Sequence, residues 1–224
     1  QATAAGDDPI LVMTPADQTV TDAAAFGAAL QRAIAAATDG TIVILGIQPD
    51  RAETGYGYIR SAPEAGEHGE RRVLQFVEKP DAATAARYLA EGTYTWNSGM
   101  FVLRASSWLK ALRQFRPDIE QATQAAWAAR QTDQVFVRPD RALFEAIPSE
   151  SIDYAVMEKC PGAAVPIRMV NLDAGWNDLG AWDAVWQVAA QDAQGNVAHG
   201  DAIIRDSRNT LVHATSRVVG AVGL

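Results

Sequence analysis

Thr41-Ile42-Val43-Ile44-Leu45-Gly46-Ile47 decides how this chain is read. It is an apolar run of strand length without polar alternation, the pattern of a strand covered on both faces. Gly40 stands just before it, where a helix can end. Upstream of that glycine, Phe26, Leu30 and Ile34 recur at four-residue spacing, which predicts a helix capped by Thr21 and running to about Ala37. Further upstream, Pro9–Met13 is another continuous apolar strand. Strand, helix and strand in that order favour an α/β fold with a parallel sheet covered on both faces.

The 224 residues suffice for one good-sized domain, or one domain plus an appendage. With 48% apolar residues a substantial core is expected rather than disorder. A net charge of −8 argues against a nucleic-acid binder held by a basic surface. Any phosphate is then expected to meet a few placed groups and a divalent metal. Cys160 is the single cysteine, which excludes a disulfide framework or a cysteine-based zinc site and fits a reducing cytoplasm. His68, His199 and His213 are scattered and form no metal or catalytic set. Apolar runs such as Ile10–Met13 and Ile42–Leu45 fall far short of the roughly 18 residues of a membrane helix. The opening Gln1-Ala2-Thr3-Ala4-Ala5-Gly6 lacks the regions of a signal peptide and reads as the tail of a helix.

Candidate chemistry gathers at predicted strand ends. Asp17 follows the first strand, where open α/β sheets place ligand and metal groups, although an acidic turn former reads the same way. Thr54-Gly55-Tyr56-Gly57-Tyr58-Ile59 brings glycines to a place where the chain can pass close to a small ligand, but it is no phosphate loop. Residues 61–72 read as an exposed hairpin loop. The strand Val73–Val77 then runs into Glu78-Lys79-Pro80, which sets Lys79 for a phosphate and Glu78 for sugar hydroxyls; an exposed ion pair is the plainer alternative. Asp81 opens a helix to Glu91, ended by Gly92.

Thr95-Trp96-Asn97-Ser98-Gly99-Met100-Phe101 follows, with Asn97, Ser98 and Gly99 expected at the entrance of a buried strand. A helical pattern over 106–131 breaks at Pro117, and its Trp108, Leu112, Phe115, Ile119 and Trp127 read as core. Residues 136–148 read as loop and short helix. Ser149 or Ser151 caps the next helix, in which Asp153 either faces a pocket or merely complements the helix dipole. A strand over 164–170 leads to Gly175-Trp176-Asn177-Asp178-Leu179-Gly180, with a helix expected over 180–190. Asp178 is a cap of that helix or, with Asp17, one of two carboxylates sharing a Mg²⁺. From Gly195 the chain becomes β-rich, which divides it into a domain over 1–194 and the start of a second region over 195–224.

Six segments in order (Pro15–Asp17, Thr54–Ile59, Phe76–Pro80, Trp96–Phe101, Ser151–Lys159 and Gly175–Gly180) resemble the bacterial mannose-1-phosphate guanylyltransferases, including the form with a mannose-6-phosphate isomerase domain behind it. The resemblance implies a Rossmann-like nucleotidyltransferase sheet with helices on both faces, followed by the start of a β-helix-like region. It implies transfer of GMP from GTP to α-D-mannose 1-phosphate, giving GDP-mannose and pyrophosphate, with Mg²⁺ held by Asp17 and Asp178. It places Tyr56, Gly57, Glu78, Asn97 and Asp153 at the sugar and Lys79 at its phosphate. Gln18 departs from the family's histidine after this aspartate, with little consequence for the metal. The family's Gly-rich signature is not among these residues, so a truncated chain with an incomplete nucleotide half is expected. Another sugar 1-phosphate and nucleotide pair (glucose 1-phosphate with UTP or dTTP), a metal-dependent glycosyltransferase and a non-catalytic sugar-phosphate-binding module are the rivals. No nucleic-acid or membrane partner is expected, and a homo-oligomer is compatible with the sequence.

Overall fold

The computed structural model describes residues 6–224. The helical tail expected over 1–6 lies almost wholly outside them. By backbone contacts the chain divides into two compact units. The first holds the segment up to Pro15 and Asp22–Ala174, and the second holds Ala16–Thr21 and Gly175–Leu224. The division expected at 194/195 therefore falls inside the second unit.

The first unit is built on a six-stranded sheet: β1 (Ile10–Met13), β3 (Ile42–Ile47), β4 (Tyr58–Ala65), β5 (Arg71–Val77), β6 (Tyr94–Arg104) and β9 (Ile167–Asn171). The order is β1-β6-β3-β9-β5-β4, and β4 pairs also with the first part of β6, so the pairing turns back on itself. Every β3 residue is buried, as an unalternating apolar strand requires. The expected parallel sheet is instead mixed. Only β3 and β9 run parallel; β1–β6, β3–β6, β4–β5, β4–β6 and β5–β9 are antiparallel. The cause is visible in the order of elements: α1 (Ala23–Ala36) links β1 to β3, but neither strand pairs with the other, and β6 lies between them.

Helix α1 begins one residue later than expected. Asp22, not Thr21, accepts the Ala25 N–H at 2.9 Å and caps the first turn. Its tightly buried face is Ala29, Ala33 and Ala36, while Phe26, Leu30 and Ile34 are half-buried beside it. Small side chains there let α1 approach β3 and β9 closely. Helix α2 (Ala82–Glu91) has the expected ends, with Asp81 accepting the Thr84 N–H and Gly92 left-handed at φ 64°. Helices α3 (Ala105–Phe115) and α4 (Pro117–Ala128) break where Pro117 predicts. Leu112 joins the main core with Ile44, Phe76, Phe101 and Met157, and Trp108, Phe115 and Ile119 pack against it. After α4 comes a hairpin, β7 (Gln131–Asp133) and β8 (Phe136–Arg138), not read from sequence because every residue in it is exposed. Two short helices follow, α5 (Arg141–Glu145) and α6 (Ile152–Ala155), the latter capped by Ser151.

The second unit joins β2 (Thr19–Val20) antiparallel to β10 (Trp176–Asn177) and continues through α7 (Trp182–Val188). The tail carries β11 (Val197–His199), β12 (Ala202–Arg205), β13 (Leu211–His213) and β14 (Val219–Val222). There β11 pairs with β13 and β12 with β14, both in parallel, which accounts for the β-rich character expected of residues 195–224.

Candidate functional site

In the first unit the sheet brings together four of the residues singled out from sequence. Glu78 and Lys79 follow the last residue of β5, and Asn97 lies in β6. Gly57 immediately precedes β4, and its carbonyl accepts the Asn97 N–H at 2.7 Å. Asn97 does not stand at the entrance of a short strand, as expected, but inside an eleven-residue one. The pairing of β6 with β3 slips between Ile44 and Gly46, and Gly99 takes φ 73°, a conformation that favours glycine. This bulge lets the Gly99 N–H turn to Asn97 Oδ1 at 3.0 Å, which fixes the amide and leaves its NH₂ to face outward from that turn. Asn97 Nδ2 donates to Asp153 Oδ1 at 3.0 Å. So Asp153, in the first turn of α6, is more than a helix-dipole residue: its side chain belongs to this cluster.

Glu78 is the electrostatic centre. Its side chain is 8% exposed, and Lys79 Nζ approaches its Oε1 at 3.8 Å. Oε2 is buried with no hydrogen-bond partner among the described residues. A methyl group at Gly57 would lie 2.5 Å from that same oxygen, so only a glycine lets the carboxylate pack this close to the backbone. Burial first, and then the neighbouring Asp153 and Glu158 carboxylates, push the Glu78 carboxyl up to about 7, against the pull of Lys79. Burial also raises Asp153, while its hydrogen bond from Asn97 opposes the shift. An unpaired buried acceptor, an exposed cation and an amide in one place suit a polyhydroxylated ligand that carries an anionic group.

Tyr56 meets the edge of Trp96 with ring centroids 5.1 Å apart, and Arg51 stacks at 5.1 Å from the Trp96 ring. The Trp96 indole N–H is buried and has no partner among the described residues. Neither Glu158 nor Arg51 was assigned a role from sequence. Glu158 sits inside the Ser151–Lys159 motif, but only the fold shows its carboxylate accepting the Glu78 N–H at 2.7 Å. A separate apolar cavity of about 410 Å³, lined by Phe101, Trp108, Leu112 and Ile119 among others, includes Gly99 and Ile152 in its wall.

In the second unit Asn177 pairs with Thr19 and Trp176 with Val20, so Asp17 and Asp178 both flank the same end of this two-step ladder. Gln18 accepts the Trp176 indole N–H at 2.9 Å, fastening the two segments together. Asp178 is not a helix cap: α7 begins at Trp182, and Asp178 instead accepts the Gly180 N–H at 3.2 Å in a turn where Leu179 takes φ 52°. Any side chain at Gly180 would start 2.8 Å from Asp178 Oδ2. Among the described residues no group of three or more acidic, histidine or cysteine side chains could hold a metal. Asp17 and Asp178 are oxygen donors of the kind that hard divalent cations take alongside water and phosphate oxygens.

A mixed sheet with helices, acidic groups beyond its strands and the sequence motifs together define a Rossmann-like nucleotidyltransferase. The Nucleotidyl transferase family model matches residues 1–195, and the chain belongs to that family. It is 50% identical to the xanthan biosynthesis protein XanB of Xanthomonas campestris pv. campestris (strain B100) over 224 residues, all of this chain and 46% of that protein. Mannose-1-phosphate guanylyltransferase of Escherichia coli (strain K12) is 46% identical over 97% of this chain and 45% of its own length. The crystal structure of mannose-1-phosphate geranyltransferase from Thermus thermophilus superposes with a TM-score of 0.83 at 33% identity, covering 99% of this chain and 62% of that one. The resemblance carried by the six motifs is thus borne out, and the chain spans less than half the length of these curated relatives. No helix among the described residues is long and apolar enough to cross a membrane.

Proposed function

We propose that the whole protein transfers GMP from GTP to α-D-mannose 1-phosphate, giving GDP-mannose and pyrophosphate. The observation that carries this reading is the orphaned Glu78 Oε2, with Lys79 Nζ 3.8 Å from Oε1 of the same carboxylate. A sugar hydroxyl satisfies that oxygen, and the Lys79 ammonium meets the phosphate on the anomeric carbon. Asn97 and Asp153, already hydrogen-bonded to each other, add a donor and an acceptor for further hydroxyls, and Tyr56 walls the site through its contact with Trp96.

A phosphate oxygen of the sugar phosphate attacks the α-phosphorus of GTP in line; the new P–O bond replaces the bond to the pyrophosphate, which leaves with its electron pair. Such a transfer needs positioning and charge neutralisation more than a protein base. Asp17 and Asp178 would hold a Mg²⁺, which supplies charge neutralisation at the transferring phosphate. Lys79 holds the attacking phosphate, and the Glu78–Asn97–Asp153 cluster orients the sugar.

Pyrophosphate release by the full-length protein, over four nucleoside triphosphates against mannose and glucose 1-phosphates with Mg²⁺, tests the assignment. A peak at GTP with mannose 1-phosphate is expected. A peak at glucose 1-phosphate with UTP or dTTP overturns the substrate assignment, and silence with every pair overturns the reaction. Mannose 1-phosphate alone is also expected to raise the melting temperature, because a ligand that binds only the folded state stabilises it.

A further inference from the structure

Beyond β5 the chain must turn, and its backbone groups lose their ladder partners. Val77 still pairs with Tyr58, but the N–H groups of Glu78 and Lys79 find other acceptors. Lys79 takes φ 48°, a left-handed conformation that costs a residue with a side chain on the order of 1 kcal/mol and persists only where the surroundings hold it. Two contacts hold it. The Lys79 N–H donates to the Tyr56 carbonyl at 3.2 Å. The Glu78 N–H donates to Glu158 Oε1 at 2.7 Å, a contact between residues far apart in sequence. A carboxylate taking a backbone N–H is a short, charge-assisted bond, stronger than the carbonyl acceptor it replaces. Glu158 lies in the 3₁₀ turn Met157–Lys159, whose Met157 is fully buried in the core, so its anchor is rigid.

We infer that Glu158 is a positioning residue: its carboxylate locks the Glu78–Lys79 corner in the strained conformation that aims both side chains at the sugar 1-phosphate. The inference rests on the proposed role of Glu78 and Lys79. Its structural ground is independent of that role, because among the described residues no neighbouring side chain duplicates the bond to the Glu78 N–H. Glu158 also sets the charge around Glu78. The groups acting on the Glu78 carboxyl are Asp153 and Glu158, which favour its protonation, and Lys79, which opposes it.

The test uses the full-length protein with Glu158→Ala and Glu158→Gln, read as separate KM values for sugar 1-phosphate and nucleoside triphosphate across pH. Glu158→Ala is expected to raise the sugar-phosphate KM roughly tenfold, the scale of one lost charge-assisted hydrogen bond, with the nucleotide KM unchanged. Glu158→Gln keeps an oxygen acceptor for the Glu78 N–H and restores most of that loss. It removes a negative charge, however, so the pH midpoint of sugar-phosphate binding that depends on Glu78 moves down. Equal sugar-phosphate KM values in all three proteins, or a Glu158→Gln midpoint that does not move, overturn the inference; should Glu158→Ala fail to fold, the Glu158→Gln midpoint decides alone. Glu78→Gln and Lys79→Ala separate the two layers. If they leave the sugar-phosphate KM unchanged, the reading of the site fails; if they raise it while Glu158→Ala does not, only the positioning role fails.

Discussion

Adding one methyl group at Gly57 tests the site more sharply than removing any charge. The Cβ of Gly57→Ala would lie 2.5 Å from Glu78 Oε2, 3.2 Å from Asn97 Cβ and 3.3 Å from Phe76 Cζ. Gly57 does not take a left-handed φ, so the substitution strains space and not backbone. An ordinary contact begins at 3.4 Å, which forces the Glu78 carboxylate back by roughly 1 Å. It has little room to yield, since its side chain is 8% exposed and Phe76 behind it is 5% exposed. Overpacking of this kind costs about 1–3 kcal/mol of stability, equivalent to several degrees of Tm in a chain of this size. Displacing an orienting group by about 1 Å costs on the order of 10²-fold in kcat/KM. Steady-state pyrophosphate release is expected to show that loss against the sugar 1-phosphate while the KM for the nucleotide stays as in the unaltered protein. Unchanged turnover together with an unchanged Tm would refute the close approach of Gly57 to Glu78.

Three further outcomes are expected. Glu78 is held up to about 7 in the folded protein against 4.5 when free, so the folded state binds the extra proton between those values. Its contribution to stability is full below pH 4.5 and is lost as pH rises through 7, on the order of 3 kcal/mol; Glu78→Gln should therefore flatten the fall in Tm between pH 5 and 8, and an identical slope in both proteins would contradict the buried, proton-holding carboxyl. Asp178→Asn should lower kcat by about 10²-fold at saturating Mg²⁺, the scale of losing one preorganised electrostatic group, and near-normal turnover would remove Asp178 from the metal site. Gly92→Ala should lower stability by about 1 kcal/mol with kinetic constants intact, because nothing lies within 4 Å of the added Cβ and only the φ of 64° resists it; calorimetric melting with no loss would show that the helix end relaxes.

What the sequence disclosed follows the range of the forces involved. The ends of α2 were legible because Asp81 and Gly92 act on their own turn. The buried β3 was legible because its six residues are each covered, whatever covers them. Strand direction was not, since the choice between parallel and antiparallel neighbours depends on which distant strand fills each place in the sheet. Asn97 could be picked out as an unusual residue, but its location within a long bulged strand depends on the left-handed Gly99 and on the register with Gly46. Asp153 reads from sequence either as a pocket residue or as dipole complementarity, and only its hydrogen bond from Asn97, on another element, separates the two. Asp178 had the spacing of a cap; the positive φ of Leu179 delays α7 and frees its carboxylate from that role. Glu158 gave no separate signal, because its partner is a backbone N–H that every residue but proline carries.

The place of β9 in the sheet has a consequence for how the protein is made. It is the last strand of the sheet in sequence, yet it sits between β3 and β5, with Ile42 opposite Ile167. A nascent chain therefore completes β3 long before the strand that will cover one of its two edges exists. At about 5–20 residues per second that wait is on the order of ten seconds, during which an apolar strand has an open row of backbone donors and acceptors. Contacts so distant in sequence also slow the closing step itself. Strand β3, buried at every residue once folded, is thus open to wrong partners on the ribosome.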